Sequence, residues 1–453
     1  MPDNPAPLEK KGLKNPFWVL VALAFITAGG YGLLKVLGGG GQEASLPPGF
    51  SITPGEDSGG ASGNRGAARE SRSLESLIAA TVSGDSIQFE ASIAILPLVN
   101  RTGDRLLDTL GNGMTEELIT RLHRIRGLKV ISLQSVRELE GLELSAAEVA
   151  DTLGVDHLLE GTAFPYQNAA RIQVRLLNVE ENAELWSNDY SLDRTNQMRA
   201  VEEISDEVSA ALLGEVPTLS IGTSVQSTES PGYVDYLAGT RFLNSRTRDG
   251  LVSAIERFGS AIREDSLFAP AYAGLSSAYA LSITYRYDIG VDAYAAAGFA
   301  LATAAEAVRL DPDLAEAYAA RGYISSVALA PAQLVLEDFS RALDLQPNAP
   351  NVPAWYANLL VREGYYDQAL AEAQRAVRLD PLSPARRPGL AYEALRARDY
   401  GLAIDQARTA RSLNAEVILP RSIQGLALLL SDRPDECLDL DLGPHSGLRA
   451  MCL

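Results

Sequence analysis

Residues 155–190 read VDHLLEGTAFPYQNAARIQVRLLNVEENAELWSNDY. Within them Ile172, Val174 and Leu176 alternate with Arg171, Gln173 and Arg175. A period of two sends the apolar residues to one face of a strand and the polar ones to the other. The run Pro165 to Asn168 supplies a turn on one side and Glu181-Asn182 a turn on the other. Three antiparallel strands are therefore predicted, at 155–163, 170–178 and 184–190. One apolar face of such a sheet has to be covered by helices.

Those helices and their companions lie on either side. SIAILPL at 92–98 predicts a buried strand, and Lys129-Val130-Ile131 a short one. Between them Leu110, Met114, Leu118, Leu122 and Ile125 fall at three- and four-residue steps, one face of a helix over 106–125 that Gly127 stops. Ser145 and Glu148 form a capping box for a helix over 146–153, and Gly154 ends it. Val201, Ile204, Val208 and Leu212 mark a closing amphipathic helix. Together these elements make one α+β domain over 92–214.

The segments SIAILPLVNRTGD, GMTEELITRLHRIRGLKVIS and LGVDHLLEGT, followed by ARIQVRLLNVEENAELWSNDYSLDR, resemble the TolB amino-terminal-like domain. The resemblance spans the whole unit and keeps the family's order. Phe164-Pro165-Tyr166 stands where basic residues are common in the family, and Glu181-Asn182 replaces its usual glycine turn. In bacteria such a domain follows a transmembrane helix in regulators of the CadC type and in some adenylate cyclases, and precedes tetratricopeptide repeats.

Both neighbours are legible. Residues 17–34 are 18 consecutive uncharged residues, FWVLVALAFITAGGYGLL. That is long enough to cross a hydrocarbon core of about 30 Å, and a transmembrane helix is expected over 17–37. Lys10, Lys11 and Lys14 precede it, so the positive-inside bias predicts a cytoplasmic stub at 1–16 and a periplasmic main body. A cleaved signal peptide is the rival, with Thr27-Ala28-Gly29 as its candidate site. Residues 38–91 begin GGGGQEASLPPG and read as a flexible linker; 215–230 read as a second one.

From about residue 231 the signal is spacing. Ala342, Ala376 and Ala410 are 34 residues apart, as are Ala369, Ala403 and Cys437. Pro312, Pro347 and Pro381 follow nearly the same step. A 34-residue period is that of tetratricopeptide repeats, two antiparallel helices per unit. Tyr272, Leu275 and Tyr279 fit the first helix of a unit, and Ala254, Phe258 and Ala261 the second. The step from Ala261 to Ala307 is 46, so an insertion is expected near 284–292. Four to five repeats are predicted over 231–437, with a frayed tail at 438–453. The fold class is thus an α+β TolB-like domain and an all-α solenoid behind one transmembrane helix.

Chemistry is harder to find. The net charge is −19, which repels phosphate backbones and argues against nucleic-acid binding by the main body. Neither CxxC nor HExxH occurs, so no metal site is expected. His123 reads as a residue on the polar side of its helix near the negative dipole end, His157 as a strand residue, and His445 as part of the loose tail. Glu116 and Glu117 read as a solvated face beside Asp104 and Asp108. Gly111-Asn112-Gly113 lacks the third glycine of a dinucleotide fingerprint and reads as a local helix break. Cys437 and Cys452 could pair in an oxidising compartment, but Cys437 as a small packed residue explains itself unpaired, and that reading is favoured. No catalytic residue and no cofactor is expected.

The 34-residue frame instead directs Tyr323, Asn358, Arg362, Tyr392 and Arg396 into the concave groove of the repeats. Aromatic and arginine side chains are the types that anchor interfaces; packing between repeats is the competing account. The expectation is a non-enzymatic, single-pass protein of a bacterial inner membrane whose periplasmic domains scaffold a protein partner. The alternative is a signal-sensing ectodomain. A stub of about 16 residues cannot fold an output domain of its own, so such a sensor would act through a separate partner. Gly29, Gly30 and Gly32 would permit a homodimer through the membrane helix.

Overall fold

The computed structural model describes residues 89–100, 105–166, 169–192, 197–214, 230–383, 385–413 and 418–440. The expected membrane span, residues 38–88 and 215–229 of the two linkers and the tail beyond 440 lie outside these residues; the first linker ends sooner than expected, because Ala91 already belongs to a strand. Among the described residues no helix is long and apolar enough to cross a membrane.

The first unit is built on a sheet of β1 (Ala91–Ile95), β2 (Val99–Asn100), β3 (Leu128–Val130), β4 (His157–Tyr166), β5 (Ala169–Asn178) and β6 (Ala183–Leu192). The strand order is β3-β1-β4-β5-β6, with β2 pairing β4. β1 runs parallel to β3 and β4, and β4, β5 and β6 are antiparallel neighbours. Alternation in β5 works as read: Ile172, Val174 and Leu176 are buried, and Arg171, Gln173 and Arg175 are exposed. Arg175 instead pairs with Glu160 at 2.8 Å and Arg171 with Asp189 at 2.6 Å across the open face. The turn expected over Pro165 to Asn168 is shorter, because β4 continues through Pro165 and Tyr166, which pair with Ala170 and Ala169.

Helices α1 (Arg105–Leu122) and α4 (Gln197–Leu213) cover the apolar face of this sheet. Met114, Leu118 and Leu122 meet Val201, Ile204 and Val208 over Ile93, Val174 and Leu176. A second cluster lies around β1 and β4: Val136 of α2 (Leu133–Arg137), with Val149 and Leu153 of α3 (Ala146–Leu153), packs with Ala94 and Leu158. The capping box of α3 is present, with Ser145 N–H donating to Glu148 at 2.8 Å and Glu148 N–H to Ser145 at 3.3 Å. Gly154 closes α3 at φ +64°.

The break expected at Gly111-Asn112-Gly113 does not occur, and α1 runs through it. A Cβ at either glycine would meet its neighbours at ordinary van der Waals distance, so neither position demands glycine. An added Cβ at Gly113 would meet the Tyr233 ring at 3.5 Å, across a boundary between the two units.

Helix pairs follow: α5 (Tyr233–Asn244) with α6 (Arg248–Glu264), α7 (Ala269–Tyr285) with α8 (Ala293–Leu310), and α9 (Ala315–Val327) with α10 (Ala332–Leu345). Then come α11 (Asn351–Arg362) with α12 (Tyr366–Leu379), α13 (Arg386–Arg396) with α14 (Tyr400–Leu413), and α15 (Ile418–Leu430) with the short α16 (Pro434–Leu438). These are tetratricopeptide-like hairpins. The periodic alanines are their contact points: Ala342, Ala376, Ala403 and Ala410 are all buried. The expected insertion is real and is spread over a 17-residue α7, an 18-residue α8 and the loop between them.

Cys437 is fully buried, as a small residue at that position should be. It is nonetheless disulfide-bonded, which corrects the unpaired reading. Sequence spacing carries no information on whether two thiols meet, and Cys452 lies outside the described residues.

Candidate partner-binding groove

The α+β unit does not float beside the repeats. It rests along the loops that join one hairpin to the next, where Pro347 and Pro381 end the second helix of a unit. In one loop the Asn348 side-chain amide donates to the carbonyls of Ile125 (2.8 Å) and Leu128 (2.7 Å), and its backbone N–H to His123 O at 3.3 Å. In the next loop Asp380 accepts from the hydroxyls of Ser132 and Ser135, the latter at 2.7 Å. Leu382 N–H donates to Ser135 Oγ at 2.9 Å, and Ser132 N–H to Leu379 O at 3.1 Å. Asn348 and Asp380 are 1% and 3% exposed, so these bonds are made out of water, where they count most.

Two readings of charged residues change in this light. Glu116 and Glu117 are not a solvated face. They point from α1 at Tyr233 and Tyr236 of α5, with Glu316 of α9 nearby. Burial pushes both carboxyls up to about 7, although Arg137 lies 3.5 Å from Glu116 and Arg124 stands by Glu117. His123 is not on a polar side either. It is buried just past α1, and burial holds its imidazole down to about 4, against the pull of a hydrogen bond to Val130 and of Asp380. In both cases the helical wheel showed a polar stripe, and the neighbouring unit covers that stripe. His157 sits as a strand residue, its Nδ1 3.0 Å from the Ser92 carbonyl.

The five residues that the repeat frame singled out lie on first helices of the hairpins, α9, α11 and α13. Tyr323 on α9 is buried, its ring stacked on Trp355 of α11 at 4.4 Å and 9° and its hydroxyl 2.7 Å from Thr284 Oγ1. Asn358 is exposed, and its amide reaches only the Ala354 carbonyl one turn back, at 3.1 Å. Arg362 donates to Ser326 O (3.3 Å), in the last turn of α9, and to Ala330 O (3.1 Å), in the turn after it, and pairs with Glu363. Arg396 donates to the Tyr392 hydroxyl at 3.2 Å and lies 5.6 Å from the centre of the Tyr366 ring. Four of the five candidates therefore spend part of their surface on contacts between helices, and Asn358 presents its side chain to solvent.

Further contacts involve residues that the sequence did not single out. Tyr287 donates its hydroxyl to the Arg246 carbonyl at 3.1 Å and stacks with Tyr285 at 5.6 Å. Arg386 enters from the start of α13, bonded to Asn351 and 3.4 Å from Asp380 Oδ2. The inserted loop at 286–292 was visible as a break in period, but its tyrosine, Tyr287, and the neighbouring Tyr285 had no partner in the 34-residue frame.

Residues 89–208 match the family model of the HilA/YgeH-like transcriptional regulator, second domain. The chain is 30% identical over 158 residues to the putative adenylate cyclase 3 of Rhizobium meliloti (strain 1021). That match takes in 34% of this chain and 26% of the cyclase, so the chain spans about a quarter of that relative's length. Among solved structures, YrrB, a TPR protein with an unusual peptide-binding site, is 20% identical over 44% of this chain and 98% of its own, with a TM-score of 0.31. TolB from Acinetobacter baumannii is 19% identical over 29% of this chain and 30% of its own, at 0.23. The type IV pilus biogenesis factor PilW is 15% identical over 49% and 97%, at 0.37. Scores of this size carry no argument about function.

Proposed function

We propose that this chain is a non-enzymatic scaffold that binds a protein partner in the groove of its repeats, held at a bacterial inner membrane with its main body in the periplasm. One observation carries the binding part. First helices of successive hairpins carry Tyr323, Asn358, Arg362, Tyr392 and Arg396, of which Asn358 is exposed, while the bonds of the α+β unit to Asn348 and Asp380 fall in the loops between hairpins. Titratable groups away from the groove are absorbed in packing: Glu116, Glu117 and His123 face the boundary between the units. The uncharged run at 17–34, the lysines before it and the disulfide at Cys437 favour the proposed location.

Photo-crosslinking from Asn358 tests the binding part, since that side chain is exposed and its replacement gives up one hydrogen bond within its own helix, to the Ala354 carbonyl. A discrete adduct with another protein, found also with purified components and lost on a charge reversal in the groove, is the expected result. Only self-adducts would sink it. For location, alkaline phosphatase fused after residue 214 should be active in cells; an inactive but stable fusion argues against a periplasmic body.

The match of residues 89–208 to a regulator domain favours a second reading, a signal-sensing ectodomain that reports to an output partner. Deleting the chain and finding an altered transcriptional or cyclic-nucleotide response, with no adduct from Asn358, would move the weight there.

A further inference from the structure

The apolar core of the repeats changes over at α13. One cluster runs from Leu251 of α6 to Ala373 of α12 and takes in Leu390 of α13; another starts at Ala391 of α13 and holds residues of α14 and α15 with Cys437. Half-buried Leu370 of α12 and Leu402 of α14 pack against both. The joints before this one are apolar. Ile324 and Leu359 are buried in the first cluster, and Tyr323 stacks on Trp355. At the repeat step Ile324, Leu359, Glu393 and Ala427 follow one another, 35, 34 and 34 residues apart. A position that is apolar in its neighbours is thus a carboxylate where the core changes over. Glu393 is 3% exposed, and its Oε2 is buried without a hydrogen-bond partner. Arg396, one turn on, acts on it, but that guanidinium donates to the Tyr392 hydroxyl and lies against the Tyr366 ring. α11, α12, α14 and α15 also pack against α13, and among the described residues none brings a second charge to Glu393. Burial therefore pushes its carboxyl up to about 8. A carboxylate held there without donors costs free energy whenever it is charged, and exposing it recovers that cost. The start of α13 is pinned instead. Arg386 bonds Asn351 of α11 and stands 3.4 Å from Asp380, and Arg387 donates to the Pro381 carbonyl at 2.9 Å. Among the described residues the hydrogen bonds of the α+β unit to the repeats end at Leu382, just before this point.

We propose that the repeats are jointed at α13: helices α13 to α16 pivot as a body about the pinned start of α13, and ionisation of Glu393 releases them from α11 and α12. The joint needs no partner and stands apart from the scaffold reading. Its direction with pH follows from burial. In the closed form Glu393 stays protonated up to about 8, and once exposed it returns to the ordinary 4.5. The closed form is therefore fully favoured below about pH 4.5 and loses its advantage as pH rises through about 8. Tyr392 and Arg396 travel with α13, and Asn358 and Arg362 stay with α11, so the joint sets the spacing between them.

Pulsed electron resonance distances on the full chain in detergent test the joint. Spin labels go on Glu337→Cys of α10 and Arg408→Cys of α14, both exposed and on opposite sides of it. The parent should show a second, displaced distance whose population is at least about tenfold larger at about pH 9 than at about pH 5. Glu393→Leu supplies the apolar side chain found at Leu359, and Glu393→Gln keeps the shape without titrating. Both should give a single distance at either pH, and if one variant does not fold the other decides. A control pair inside the first cluster, Glu256→Cys with Glu337→Cys, should hold one distance throughout. A single, unchanged distance in the parent at both pH values overturns the joint. So does a second population that persists at high pH in Glu393→Leu or Glu393→Gln, and so does an equal spread in the control pair, which would mean that the whole array bends.

Discussion

At the scale of single residues, the seam between the two units depends on polar side chains with a defined geometry. Asn348 is the clearest case. One amide satisfies two carbonyls, of Ile125 and Leu128, left over where α1 ends and β3 begins. Asn348→Ala leaves both without a donor inside the seam and should cost about 2–3 kcal/mol, read as a lower urea midpoint. A midpoint within error of the parent would mean that water replaces the amide. Backbone conformation gives an opposite case. The turns inside successive hairpins place Leu329, Gly364, Arg398 and Asp432 at positive φ, and of these only Gly364 is a glycine. Leu329 is 51% exposed at φ +59°, so its side chain contributes little packing and its backbone is strained. Leu329→Gly should raise stability by about 1 kcal/mol, seen in chemical denaturation. A loss of stability would show that the leucine packs on something in solution.

At the scale of elements, α1 faces two ways. Its apolar stripe closes the sheet, and Glu116 and Glu117 meet α5 and α9. Both carboxyls are raised by burial to about 7 in the folded chain, from an ordinary value of 4.5. Folding then favours the protonated form, so the stability they contribute is fully present below about pH 4.5 and lost as pH rises through about 7. The charges facing Glu117 are Arg121 and Arg124, which oppose this, and Glu116 and Glu316, which reinforce it. Glu117→Gln should remove part of that slope. Between pH 5 and pH 8 the variant's melting temperature should move less than the parent's, on the order of 3 kcal/mol of pH dependence being absent. An identical pH profile in parent and variant would count against the buried assignment. His123 works in the other direction. Its folded value near 4 means that its stability is present above about 6.5 and lost as pH falls to 4, so it does not mimic the glutamates' window.

At the scale of the whole molecule, Asp380 ties two differently built units into one. It accepts from Ser132 and Ser135 on one side and balances Arg386 on the other. The chain should therefore melt in a single calorimetric transition. Asp380→Ala strips two hydroxyls of their acceptor and leaves a buried guanidinium uncompensated, at a cost of about 3–5 kcal/mol. Two separate transitions should appear, one for the sheet unit and one for the repeats. A single transition at a lower temperature would mean that the α1 contacts with Tyr233 and Tyr236 suffice to couple them.

Periodicity determined most of what the sequence could say alone. Alternation in β5 declared one buried face, Ser145 with Glu148 and Gly154 marked the ends of α3, and the 34-residue step of Ala342, Ala376 and Ala410 declared the hairpins. Each depends on near neighbours along the chain or on a repeated contact, so each leaves a local trace. Tyr323, Asn358, Arg362, Tyr392 and Arg396 were placed on first helices by the same frame. Only the tertiary structure decided which polar stripes are covered. Glu117 and His123 look solvated on a helical wheel, and a unit more than 100 residues away buries them. Asn348, Asp380 and Arg386 look like loop and helix-start residues until Ile125, Leu128, Ser132 and Ser135 arrive. Contacts between distant segments have no period, and a single asparagine or aspartate in a loop reads the same whether it faces water or a second domain.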